Sequence, residues 1–229
     1  MQLIHTHVPK TAGTAFHTHL KRWFPRCGGV HIAGFDTAYL GVFIGDRRSK
    51  WWSDREQFKS EWRREIQAPH YGAADVLIGH YPLELFDGLW PEAKRVCWLR
   101  HPVSLVISWY RFDRDIAGRL APGTSIYDYL EEYDFRNNIM TTMTGGRLGD
   151  YWFIGLREMF DEHLAVFAHM LGLPLPERIP PKATNSQSRK EEFMRLVGDP
   201  KIRKEVYRRN RADVSLYLEA VNRTLKTLH

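Results

Sequence analysis

The sequence predicts a single α/β domain, with a parallel sheet covered by helices on both faces in three layers. Three observations predict it. Four short apolar runs rich in β-forming residues, Leu3 to Val8, Val76 to Gly79, Arg95 to Leu99 and Trp152 to Leu156, read as fully buried strands. Helical patterns lie between and after them, the order expected of parallel strands joined by helical crossovers. The length, 229 residues, suits one such domain over residues 1–229 with a sizeable core and is short for two.

The helices follow in order. Thr14 to Trp23 carries an amphipathic pattern directly after the first strand, and Val103 to Asp115 carries a second. Pro102 opens the latter near its first position, where the missing N–H costs nothing. Ser125 to Tyr133 and Asn137 to Thr144 read as short helices, and Glu158 to Leu171 as a longer one closed by Gly172 and Pro174. From about Glu191 the tail is helical, with a break at Gly198-Asp-Pro200. On it Lys201, Lys204, Arg208 and Arg211 share one face, and Val214, Tyr217, Leu218, Val221 and Leu225 form an apolar stripe. Two stretches, 28–74 and 114–150, interrupt the alternation. Ligands of open parallel sheets bind beyond the carboxyl ends of the strands, so these insertions are expected to shape a substrate pocket. Trp51, Trp52 and Trp62 lie amid Lys and Arg in the first stretch and suit stacking on a sugar ring, although tryptophans more often fill cores.

Composition excludes several classes. Hydrophobic residues at 43% and charged residues at 26% are those of a globular chain, neither disordered nor fibrous. No apolar run reaches the ~20 residues of a membrane span. Met1 to Val8 lacks the basic start and long apolar core of a signal peptide, so a cytoplasmic protein is expected. Cys27 and Cys97 cannot build a disulfide framework, and no C-x-x-C or H-E-x-x-H motif points to zinc. The net charge of +6 resides in the tail: residues 180–229 hold 12 basic and 6 acidic residues, the preceding ones 21 of each. That tail reads as the solvated face of a packed terminal helix, with an anion-binding surface as the alternative. No nucleic-acid module is recognisable in it.

The chemistry-bearing signal begins at His7-Val-Pro-Lys-Thr-Ala-Gly-Thr-Ala-Phe16, where a strand passes through small residues into a helix. Such a loop can curl so that backbone N–H groups of residues 11 to 15 converge on one anion, favoured by the helix dipole. Gly13 permits close backbone approach, Lys10 adds a full charge, and Thr11 and Thr14 add hydroxyls. A nucleotide-kinase P-loop places Lys-Ser/Thr after its last glycine, whereas Lys10-Thr11 precede Gly13. None of the expected strands ends in an aspartate that would hold magnesium. The second signal is Leu99-Arg100-His-Pro102 followed by Ser108: an arginine fork at a strand mouth and a hydroxyl two turns into the next helix can meet on a second phosphate. Two such sites make a nucleotide with two separated phosphates the economical ligand.

Pro9-Lys-Thr-Ala-Gly-Thr14 resembles the 5′-phosphosulfate-binding loop of sulfotransferases, and Leu99-Arg100-His-Pro with Ser108 resembles their 3′-phosphate-binding motif. The likeness is greatest to the branch containing heparan sulfate 2-O-sulfotransferases and their bacterial relatives. Ile78-Gly-His-Tyr-Pro82, Trp152 to Asp161 and Ala212 to Tyr217 add to it, so that it spans residue 3 to about 220. His101 departs from the family, which more often has Asp there. The resemblance implies a P-loop-like fold, 3′-phosphoadenosine 5′-phosphosulfate (PAPS) as donor, adenosine 3′,5′-bisphosphate (PAP) as product, and no metal. It assigns Lys10 to the 5′-phosphate and the bridging oxygen, Thr11, Ala12, Gly13, Thr14 and Ala15 to the remaining 5′ contacts, and Arg100 with Ser108 to the 3′-phosphate. A late basic loop, here residues 181–189, is expected to close over the nucleotide. The acceptor it implies is an alcohol or amine, with a glycan or glycolipid hydroxyl favoured, in a bacterial enzyme.

In-line sulfuryl transfer needs a base, and His80 stands just after a strand aimed at the same crevice. Glu84 is the alternative base. His5 and His7 are expected to be structural. Two other functions remain open from the sequence: a non-catalytic nucleotide- or partner-binding module on this fold, and an ATP-dependent kinase, which would need a metal-holding carboxylate.

Overall fold

Alternation along the strands decides the layers. The computed structural model describes residues 3–24, 32–34, 55–66, 75–133, 137–176 and 187–227. Its strands are β1 (Leu3–Thr6), β2 (Ile32–Gly34), β3 (Val76–Gly79), β4 (Lys94–Leu99) and β5 (Phe153–Leu156), in spatial order β2-β3-β1-β4-β5 with every pairing parallel. Leu3, Val76, Ile78, Val96, Trp98 and Phe153 face one way, against Phe16 and Leu20 of α1 (Gly13–Trp23) and Leu164 and Phe167 of α6 (Phe160–Met170). Ile4, Leu77, Cys97 and Leu99 face the other way. There they meet α3 (Pro102–Asp115), α4 (Ile126–Glu132), α5 (Ile139–Thr144), α7 (Gln187–Gly198), α8 (Pro200–Arg209) and α9 (Arg211–Thr227). The expected three-layer α/β fold is the one observed. The remaining described helix, α2 (Arg55–Ile66), packs beside a 3₁₀ turn at Leu83–Phe86. Among the described residues no helix is long and apolar enough to cross a membrane.

Several local expectations are corrected. The first strand ends at Thr6 rather than Val8, because residues 7–12 turn away to form a loop. The stretch 28–74 contains the short edge strand β2, which had no apolar run to announce it. In the tail, α7 begins at Gln187, and a second break at Asn210 divides α8 from α9. The apolar stripe of α9 is rotated from the expected one: Asp213, Leu216 and Ala220 are buried, while Leu218 and Leu225 are more than half exposed. Asp213 explains the rotation. Its carboxylate accepts from Met140 N (3.1 Å), Thr141 N (2.7 Å) and Thr141 Oγ1 (2.8 Å), satisfying N–H groups at the start of α5. Asn138 Oδ1 in return accepts from Ala212 N and Asp213 N at the start of α9. Two helix N-termini thus cap one another, which fixes α9 with its aspartate inward. Burial pushes the Asp213 carboxyl up to about 6, against the opposing pull of those hydrogen bonds. The basic face Lys201, Lys204, Arg208 and Arg211 is exposed, as a solvated face should be.

Candidate active site

Three neighbouring strands deliver the candidate residues to the carboxyl end of the sheet. β1 leads to the loop 7–12, β3 on one side leads to His80, and β4 on the other leads to Arg100. Within the loop Lys10 (φ 67°) and Ala12 (φ 79°) adopt left-handed backbone although neither is glycine. Each such residue costs about 1 kcal/mol or more, so the surroundings must impose it. Thr11 Oγ1 donates to Val8 O at 2.6 Å across the loop, and Arg100 Nη1 donates to Lys10 O at 3.0 Å from the mouth of β4. Left-handed residues in a tight loop can turn successive N–H groups toward one concavity, an arrangement that suits anions. Helix α1 continues it. Ala12 at its N-cap offers no side-chain cap, its first turn holds no acidic residue, and its first intrahelical bond is Phe16 N to Ala12 O. The N–H groups of Gly13, Thr14 and Ala15 precede that bond and need an outside acceptor.

Beside the loop lies a cavity of about 520 Å³, within the range of small-ligand sites. Lys10, Arg100 and Ser108 line it, as do Arg111, Arg157, Arg189 and Lys190, against one carboxylate, Asp115. Phe112, Phe193, Ile116 and Met194 supply its apolar wall. Lys10 Nζ lies 4.3 Å above the Phe112 ring. Arg100 is the most constrained of the cations. Burial, and secondarily the charge of Arg157, lowers its guanidinium to about 10 despite Glu158, and its Nε is buried without a hydrogen-bond partner. Like charges gathered around an orphaned buried donor are what an anion site requires. Helix α7, which carries Arg189, Lys190 and Phe193, is fastened to α3 by a two-pronged bond from Arg114 to Glu192 (2.8 and 2.9 Å).

His80 sits outside the lining of that cavity, against the loop. Its Nδ1 donates to His7 O at 2.7 Å, and its ring stacks on the His7 ring with centroids 4.1 Å apart. A carbonyl only accepts, so the neutral ring carries its proton on Nδ1 and its lone pair on Nε2. Burial lowers its pKa below the ordinary 6.5, and the bond to His7 O partly opposes this. Glu84 lies within 3.9 Å of Lys59 on α2. Among the described residues no group of His, Cys, Asp and Glu is arranged to hold a metal.

The structure therefore gathers Lys10, Arg100 and Ser108 around one cavity, places Thr11 to Ala15 in the adjoining loop and the start of α1, and stacks His80 on His7 at the base of that loop. Trp51, Trp52 and residues 181–186 lie outside the described residues, as does the side chain of Trp62. Sequence reasoning passed over Arg111, Phe112, Arg157, Lys190 and Phe193. Three of these had a signal. Arg111 and Phe112 stand three and four residues after Ser108, on the same helix face. Arg157 directly follows the carboxyl end of β5, where the rule of open sheets points.

No family model matches the chain, and no curated protein matches it in sequence. In three dimensions it is similar to the crystal structure of a sulfotransferase from Alicyclobacillus acidocaldarius. The TM-score is 0.52 at 15% identity, covering 96% of this chain and 95% of that one. At that identity the likeness establishes the P-loop-like three-layer fold.

Proposed function

We propose that the protein transfers a sulfuryl group from PAPS to an acceptor hydroxyl, with a carbohydrate or glycolipid as the favoured acceptor. The observation that carries the reading is the cavity itself: six cations and one carboxylate in its lining, among them a buried arginine with an unpaired Nε and the loop residue Lys10, which leads within three residues to an uncapped helix start. The motif resemblance and the structural likeness to a bacterial sulfotransferase support the same class. When bound, the donor supplies the sulfuryl group and leaves as PAP.

The chain's own residues take these parts. N–H groups at the start of α1 and in the loop hold the 5′ end, and Lys10 neutralises charge arriving on the bridging oxygen as the bond to sulfur breaks. Arg100 and Ser108 hold the 3′-phosphate, with Arg157 adding charge beside Arg100. His80 Nε2 takes the proton of the acceptor hydroxyl as its oxygen bonds to sulfur. No residue in this scheme needs a metal.

Calorimetry and thermal unfolding with PAP in the presence of EDTA test it. Binding is expected without metal, and PAP at a hundred times its dissociation constant stabilises the fold by about 2.7 kcal/mol. Arg100→Ala should weaken PAP far more than adenosine 5′-phosphosulfate, which lacks the 3′-phosphate. A shift seen only with magnesium and ATP would overturn the reading in favour of a kinase. A screen of acceptors with sulfate-labelled donor then identifies the substrate, and PAP binding with no turnover across carbohydrate, lipid, tyrosine and small-alcohol acceptors would leave a binding module.

A further inference from the structure

Three imidazoles besides that of His80 are packed behind the anion loop, and the chemistry above uses none of them. His5 and His7 come from β1 and its exit, and His17 comes from α1. We propose that the His7 side chain is a positioning residue, a one-ring spacer that holds the His80 imidazole in register with the anion loop. The proposal rests on the reading of His80 as the base and goes beyond it.

Sheet register brings the two residues together. Thr6 pairs with Gly79, so His7 and His80 are the first residues past the ends of adjacent parallel strands. His7 N donates to Gly79 O at 2.8 Å and His7 O accepts from His80 Nδ1 at 2.7 Å, binding the backbone of one residue to the other's segment on both sides. The ring completes the connection. One face of His7 stacks on His80, with centroids 4.1 Å apart and planes 28° apart. The ring also occupies the space that a Cβ at residue 13 would need: the nearest atoms to such a carbon are all of the His7 imidazole. Gly13 is the first residue of α1, and its N–H is among those with no intrahelical acceptor. The His7 ring therefore touches both the base and the first residue of α1.

The other two histidines hold that ring in place. His17 meets it edge-on at 4.7 Å and 78°, and His5 lies nearly parallel to it at 5.7 Å. His5 Nδ1 and His17 Nε2 are 3.0 Å apart and share a hydrogen bond. His7 is only 9% exposed, so its ring cannot swing aside without emptying the space between Gly13 and His80. Removing it would free the His80 ring to tilt, weaken the bond from Nδ1 to the His7 carbonyl, and misaim Nε2. Misplacement by about 1 Å is enough to cost on the order of a hundredfold in rate.

The test compares His7→Ala with His7→Phe, which keeps a flat ring of similar thickness. Long-range ¹H–¹⁵N spectra of the free protein report the His80 tautomer, calorimetry reports PAP affinity, and steady-state assays with the acceptor from the screen report kcat. In the wild type His80 carries its proton on Nδ1. His7→Ala is expected to mix in the Nε2–H form and to lower kcat tenfold or more, with PAP affinity within threefold. His7→Phe is expected to restore the Nδ1–H form and most of kcat. An unchanged tautomer and kcat in His7→Ala would overturn the proposal, as would a His7→Phe protein as impaired as His7→Ala. A His7→Ala protein too unstable to measure leaves the decision to His7→Phe against the wild type. Failure of the wild type to bind PAP strikes the proposed function instead, since the tautomer is read without ligand.

Discussion

Replacing His17 by glutamine should flatten the acid side of the protein's stability profile. His17 faces the sheet from α1, and burial, followed by the charges His80 and Lys21 would present, lowers its pKa from 6.5 to about 4. A group depressed in the fold favours the native state fully above its unfolded pKa and loses that contribution as the pH falls toward its folded pKa. The window here runs from 6.5 down to 4. Between pH 7 and pH 5 the unfolded chain takes up this proton almost completely while the native chain hardly does, which costs about 2 kcal/mol. The ring is partly exposed, and screening reduces the figure to about 1–2 kcal/mol. Glutamine can still hydrogen-bond His5 but does not titrate. Urea unfolding of both proteins at pH 7 and pH 5 gives the comparison. The wild type should lose about 1–2 kcal/mol more than the variant, a midpoint difference of roughly 0.5–1 M. His5 and His7, also depressed by burial, and Asp213, which shifts the opposite way, titrate in both proteins and largely cancel in the difference. Equal losses in the two proteins would refute the argument that this ring is held neutral by the fold.

Further expectations concern single positions. A Cβ at Gly155 would overlap the Trp98 indole, which is fully buried, so Gly155→Ala should destabilise by about 1–3 kcal/mol in denaturant unfolding. Asp213→Ala removes three hydrogen bonds from the start of α5 and should cost about 3 kcal/mol at pH 5, where the carboxyl is largely protonated. Because its folded pKa is about 6 and its unfolded value about 3.8, the wild type should lose Asp213-linked stability as pH rises through 6, and Asp213→Ala should not. Turnover should fall on the acid side with a midpoint below 6.5, since burial keeps His80 neutral into mildly acidic solution; a midpoint at or above 6.5 in a pH–rate profile contradicts the assigned environment.

Where an element is buried on both faces, its sequence announced it. The runs ending at Gly79 and Leu99 are continuous apolar stretches, and the strands lie there within a residue. The edge strand Ile32–Gly34 is three residues long in a stretch where glycines break up the apolar residues, and no apolar periodicity can mark so short a segment. The rotation of α9 was hidden for another reason. Reading Val214, Leu218 and Leu225 as the buried stripe follows hydrophobicity, but the hydrogen bonds of Asp213 to α5, a tertiary contact 72 residues away, turn the helix. In the site, motif residues at the ends of strands were legible because loop, lysine and arginine have fixed spacings. Arg189 and Phe193 reach the cavity only through the docking of α7 on α3, a placement set by Arg114 and Glu192 rather than by spacing along the chain.

The strand order carries a consequence for how the molecule is made. β1 is the central strand, and both of its partners follow it at a distance: Leu3 pairs with Val76 on one side and with Lys94 on the other. During synthesis the first four buried residues emerge with nothing to pair with. At ~5–20 residues per second, about 95 residues take roughly 5–20 s to appear, and only then can both neighbours flank β1. The loop at Lys10, the imidazole of His80 and the guanidinium of Arg100 share that delay, because each hangs from one of these three strands. Closing two long chain segments before any of this sheet is rewarded also makes folding slow. A ligand that gathers the loop and Arg100 therefore acts on a part of the molecule that exists only once these three strands have paired, and its presence during refolding should raise the yield of native protein rather than the rate of the earliest collapse.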